Sequence, residues 1–137
     1  MNKDNLNRLA VWLALGAGVL DFATGHGLLY APEFTLRLMR VAPLSPEAFV
    51  YLRMIGAFVS AVGFSYLWAL WRWKISGDPT LLRSTLELTI WFRLAVASYS
   101  SFAIARGWLS PLWLSVPATD FFLAAAQTWL LRRGAFR

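Results

Sequence analysis

The chain of 137 residues is 58% hydrophobic and 15% charged, with a mean hydropathy of +0.53, whereas soluble domains carry roughly 25% charged residues. This excludes an ordinary soluble domain and points to one membrane-embedded unit with no room for a second domain. The absence of Cys excludes disulfides, thiolate chemistry and Cys-bound metals, and the net charge of +6 lies in basic residues beside apolar runs, so no nucleic-acid partner is expected.

Residues 1–8 are a polar lead with Lys3 and Arg8, and a first membrane span is expected over about 9–30. A cleaved signal peptide fits this stretch less well. Asp21 interrupts the apolar core, no small-x-small cleavage site follows at the right distance, and three more spans are expected downstream. The longest connection, residues 31–45, is punctuated by Pro32, Pro43 and the adjoining Pro46. Within it PEFTLRLMRV reads as a short helix on the membrane surface, a tether or a lid. Pro32 suits its first position, Glu33 and Arg37 are spaced to pair, and Phe34, Leu38 and Val41 share a face.

Ser45-Pro46-Glu47 combines a cap, a rigid first residue and an acid in the first turn, which starts a helix. The second span runs over about 49–71 and ends at Arg72 and Lys74. Gly77-Asp78-Pro79 turns the chain, with Asp78 as the cap of a third helix that spans the bilayer over about 86–106. The short loop 107–111 makes the third and fourth spans antiparallel neighbours. The fourth span covers about 112–131, and Pro117 either kinks it or marks its true start.

Basic residues set the orientation. Lys3, Arg8, Arg72, Lys74, Arg83, Arg132, Arg133 and Arg137 fall on one side, against Arg37, Arg40, Arg53 and Arg106 on the other. Both termini are therefore expected in the cytoplasm, in a multi-pass protein of the cell inner membrane.

The apolar spans carry charges at comparable depth. Measured from the cytoplasmic ends, Asp21 falls about 20 Å in, Asp120 about 16 Å and Arg93 about 10 Å, and an extended arginine closes several ångströms. A lone guanidinium in hydrocarbon costs about 2.5–3.5 kcal/mol on insertion scales, so Arg93 needs acidic partners. Each span also has a face of small residues bearing a polar group. These are Ala14, Ala17, Gly18, Asp21 and Gly25; Arg53, Gly56, Ser60 and Gly63; Thr85, Thr89, Arg93, Ala97 and Ser101; and Pro117, Asp120, Ala124 and Gln127. Membrane helices approach closely along such faces. An all-α, four-helix membrane bundle with those faces inward buries the charges together as a salt-bridged layer.

That layer is either a structural network fixing helix register or a ligand or proton pocket. The pocket candidates are Asp21, Arg53, Arg93, Asp120, Tyr66, Tyr99 and Gln127. Two acids against one base leave a surplus, met by Arg53 reaching inward, by a proton or by a cation. His26 reads as an interfacial turn residue, and one histidine makes neither a two-histidine haem nor a zinc site. Tyr51 reads as an interface anchor. No phosphate loop, nucleophile elbow or HExxH is present, and no metal is expected.

The four-span layout, the helix YLRMIGAFVSAVGF with Arg53, Gly56 and Gly63, and Arg93 within the third span resemble the DoxX-like family of small bacterial membrane proteins. The resemblance implies a four-helix bundle in the cytoplasmic membrane, with some relatives acting as membrane subunits of quinone-linked sulfur oxidation. With no Cys and no evident redox-centre ligands, electron transfer by this chain itself is not expected, while quinone binding is compatible.

Three functions follow as expectations. The first is a membrane protein whose charged pocket binds a hydrophobic small molecule such as a quinone, isoprenoid or lipid, alone, as a homo-oligomer or as a subunit of a larger redox or envelope complex. The second is a small proton-coupled exporter acting as an oligomer, with Asp21 exchanging protons. The third is a membrane-embedded isomerase or cyclase using an aspartate as general acid.

Overall fold

The computed structural model describes residues 2–42 and 44–136. Among them are five α-helices and one turn of 3-10 helix, with no strand. The expected loop proline Pro43 and the terminal cation Arg137 lie outside the described residues. Helices α1 (Lys3–Tyr30), α3 (Pro46–Ser76) and α4 (Thr80–Ala105) are long and apolar enough to cross a membrane. At 1.5 Å per residue the shortest of the three is about 39 Å long, against about 30 Å of hydrocarbon. Helix α5 (Ser115–Arg132) is less apolar, because Thr119, Asp120, Gln127 and Thr128 lie along it.

Local signals fix the helix ends. Asn2 is extended ahead of α1, and Asp4 in the first turn complements the helix dipole. Pro32, which has no N–H to continue α1, instead opens α2 (Pro32–Leu38). Extended Ser45 precedes Pro46 at the start of α3, although the Ser45 hydroxyl makes no capping bond. Gly77 closes α3 in the left-handed conformation, with φ 72°. Pro79, not Asp78, directly precedes α4. Asp78 still serves that end, because its Oδ1 accepts from Thr80 Oγ1 at 2.6 Å and from Thr80 N at 2.9 Å. Those two bonds hold the Asp78 carboxyl below its ordinary pKa, the side-chain bond contributing more. After α4, Pro111–Leu114 forms the 3-10 turn. Pro117 is the third residue of α5, so it sits in the first turn and marks a helix start.

The 31–45 connection differs from its sequence reading. Helix α2 stops at Leu38, and Arg40 turns the chain at φ 59°. Phe34 and Leu38 stay exposed while Val41 folds under, against Leu28, Leu36 and Leu52. The three therefore do not share a face. Glu33 and Arg37 form no ion pair; among the described residues the pairs are Arg83–Glu87 and those of Arg93.

Helix α1 packs most extensively on α3, and α4 on α5. Glycines set the first contact. A Cβ on Gly63 would stand 2.2 Å from the Phe22 nitrogen, and one on Gly25 2.3 Å from the Ser60 nitrogen. The two backbones touch, which only residues without a Cβ permit. The α1–α3 pair and the α4–α5 pair meet across Tyr66, Thr89 and Arg93. Near the chain ends, Phe136 packs edge-on to Trp73 and donates its backbone N–H to Asn7 Oδ1 at 2.9 Å, joining the last residues to the start of α1.

Candidate functional site: an arginine between two aspartates

Arg93 stands midway along α4, with its side chain 5% exposed. Leu86, Thr89, Arg93, Ala97 and Ser100 form the buried stripe of that helix at three-four spacing. The guanidinium therefore points inward, where α1 and α5 present acids. Its Nη2 donates to Asp21 Oδ2 at 2.5 Å and its Nη1 to Asp120 Oδ1 at 2.6 Å. Both are short charge-assisted bonds. Each terminal nitrogen thus serves a different helix, and α4 is tied to the first and last helices at once.

The third side of the guanidinium faces α3. Arg93 Nε donates to the Tyr66 hydroxyl at 3.4 Å, and its Cζ lies 5.8 Å from the centre of the Tyr66 ring. Tyr66 is fully buried. It sits on the same α3 stripe as Ser60 and Gly63. Its hydroxyl also accepts from Gln127 Nε2 and donates to Thr89 Oγ1 at 2.7 Å. The Thr89 hydroxyl in turn donates to the Thr85 carbonyl at 2.7 Å. A directed chain therefore runs from Arg93 and Gln127 through Tyr66 to the α4 backbone.

Three features leave this cluster incomplete. Arg93 uses one oxygen of each aspartate, and among the described residues neither second oxygen, Asp21 Oδ1 or Asp120 Oδ2, has a hydrogen-bond partner. The two side chains keep 14% and 15% exposure, and neither second oxygen is fully buried. Gln127 Oε1, by contrast, is wholly buried and unpartnered, a state that natural interiors rarely tolerate. Two carboxylates and one guanidinium also carry one formal negative charge in excess.

Of the seven residues proposed from sequence, the structure gathers Asp21, Arg93, Asp120, Tyr66 and Gln127. It does not gather the other two. Tyr99 is 63% exposed on the outer side of α4. Arg53 is exposed near the start of α3, beside a recess it shares with Tyr30, Glu33, Phe34 and Arg37, so it does not reach in to balance the acids. Thr89 belongs to the cluster and was not among the seven. Its signal was its position one helical turn before Arg93. His26 also departs from its expected turn: it lies within α1, where its Nδ1 is 3.0 Å from the Phe22 carbonyl and 3.1 Å from Ser60 Oγ. Among the described residues no group of three or more acids and histidines is placed to hold a metal ion.

Tyr66 links three helices through one oxygen. Tyr66→Phe keeps the ring and strands Gln127 Nε2, at a cost of about 1–3 kcal/mol. Thermal unfolding in detergent should show a lower midpoint with an unchanged helical circular-dichroism spectrum. An unchanged midpoint would show that the hydroxyl carries no net stability.

No family model, curated protein or solved structure matches this chain.

Proposed function

We propose that this is an inner-membrane protein of four spans, both termini cytoplasmic, whose charged layer binds the polar head of a hydrophobic small molecule such as a quinone, isoprenoid or lipid. The observation that carries the reading is the pair of unpartnered carboxylate oxygens beside Arg93, partly exposed at the level of an otherwise apolar wall. A hydroxyl on a ligand can donate to either oxygen while its chain stays in hydrocarbon. Buried ionisable residues in membranes favour such roles over plain packing. The fourth span is supported by the outer face of α5. Phe122 is 70% exposed there, as Trp12, Phe58 and Trp91 are on the other long helices at 69%, 69% and 71%. Such rings stand comfortably in lipid and poorly in water. The resemblance to the DoxX-like family extends the proposal to a membrane subunit of a redox or envelope complex.

The test is mass spectrometry of small molecules that remain with the protein after purification in mild detergent. The wild type should retain a quinone, isoprenoid or other hydroxyl-bearing lipid at stoichiometric level. Asp21→Asn, which keeps the size and loses the charge, should retain at least tenfold less while still eluting as a folded, monodisperse protein. Equal retention by the two proteins would refute the pocket.

The acid surplus favours one second reading, a proton-coupled exporter in which Asp21 exchanges a proton for substrate. In that case pH-driven substrate movement in reconstituted vesicles is present in the wild type and lost in Asp21→Asn.

A further inference from the structure

One recess on the protein is lined by none of the residues that bond within the charged layer. It is an open groove of about 730 Å³ along α5, closed on the α4 side by Leu94, walled by Phe121, Ala125 and Trp129, with Arg132 and Arg133 at one end. Asp120 and Gln127 turn toward the interior, while Phe121, Ala125, Thr128 and Arg132 follow the outer edge of the same helix at three-four spacing, with Ala124 at the groove floor. Nothing in the groove wall is charged except its terminal arginines.

Its length is informative. From Phe121 to Arg132 is eleven residues, about 16 Å along the helix axis, which is about half of a 30 Å hydrocarbon core. The groove therefore runs from a membrane surface to the midplane, the depth of one leaflet. At its surface end the two arginines are exposed and neither has an acidic partner among the described residues. Arg133 is held at the rim by Trp129, its Cζ 5.6 Å from the ring centre, a cation–π contact. The apolar trough, the leaflet-long run and the paired cations at the headgroup level match one molecule in shape and in charge.

We propose that this groove is a specific seat for an anionic phospholipid. One acyl chain lies against Leu94, Phe121 and Ala125, and the headgroup phosphate is paired with Arg132 and Arg133. A guanidinium takes a phosphate bidentately, and basic pockets between membrane helices on the cytoplasmic side are suited to such headgroups. The site is independent of the Arg93 cluster, since no groove residue contributes a hydrogen bond to that cluster.

The experiment is native mass spectrometry of the full chain from nanodiscs containing equal amounts of phosphatidylglycerol and phosphatidylcholine. The wild type should carry one bound lipid with a strong preference for phosphatidylglycerol. Each cation near a charged membrane surface is worth about fivefold in binding, so Arg132→Gln with Arg133→Gln should cut the preference by about 25-fold. Both residues are exposed, so the fold should be unaffected. Ala125→Trp fills the trough without touching the arginines and should remove the bound lipid of either kind. Phosphatidylglycerol retained by the double glutamine variant as in the wild type would overturn the headgroup assignment. Lipid retained by Ala125→Trp would overturn the acyl seat and leave only a charged surface. The Asp21→Asn protein should bind phosphatidylglycerol as the wild type does, which separates this site from the ligand proposed for the charged layer.

Discussion

Arg93→Leu should fail to accumulate as folded protein. The substitution leaves two mostly buried acids, Asp21 and Asp120, with no cation between them. Removing one partner from a buried ionic network costs about 3–5 kcal/mol, a large share of the roughly 5–15 kcal/mol that holds a typical domain together. Size-exclusion chromatography after membrane extraction should show aggregate in place of a monodisperse peak. Arg93→Lys should fold with reduced stability, because one ammonium cannot reach two acids in opposite directions as a fork does. The informative companion is the triple variant Arg93→Leu, Asp21→Asn, Asp120→Asn. It removes every charge from the layer and should recover the monodisperse peak, since the damage arises from stranded acids. A stable Arg93→Leu protein would mean that the network has no structural role.

The second large effect concerns the contact between α1 and α3. Gly63→Ala should lower stability by about 3 kcal/mol or more. Overpacking usually costs about 1–3 kcal/mol where side chains can yield, but here the obstacle is backbone: the Phe22 nitrogen at 2.2 Å and the Gly18 carbonyl at 2.7 Å. The helices must part, and Asp21 on α1 then moves away from Arg93. A thermal-shift assay should show the loss of stability, and any ligand held by the charged layer should be lost with it. Gly16→Ala is the matched control on the same pair. No atom lies within 4 Å of its added Cβ, so the change should be neutral or stabilising by about 1 kcal/mol at most. Equal behaviour of the two variants would refute close packing at Gly63.

Much of this arrangement is legible from residue order, for identifiable reasons. Arg93 has to find acids because hydrocarbon offers none, and counting depth at 1.5 Å per residue brings Asp21 and Asp120 within its reach. The glycine stripe on α3 is visible because small residues three and four apart leave a distinctive pattern. Tyr66 and Gln127 fall on these stripes and turn inward with them. Tyr99 is six residues beyond Arg93, about 120° around the helix, so its outward position also follows from arithmetic that its aromatic character obscures. Arg53 shares the phase of Gly56 and Ser60, but it lies close to the helix start, where α2 and its loop offer an open recess in place of a packed neighbour. Val41 escapes the helical pattern for a different reason. Arg40 takes a positive φ, and periodicity stops predicting faces at the residue where the helix stops. The closeness of the Phe136 backbone to Asn7 has no local signature, because it joins the two ends of the chain.

The partnership of Arg93 with the first and last helices has a consequence for biogenesis. When the nascent chain threads α4 toward the bilayer, α1 has already emerged from the ribosome, so the arginine has a counter-ion waiting in Asp21. The acid of α5 arrives afterwards and meets a guanidinium with one terminal nitrogen still unspent. Emergence in chain order thus presents alternating charges, each drawn toward the one before it.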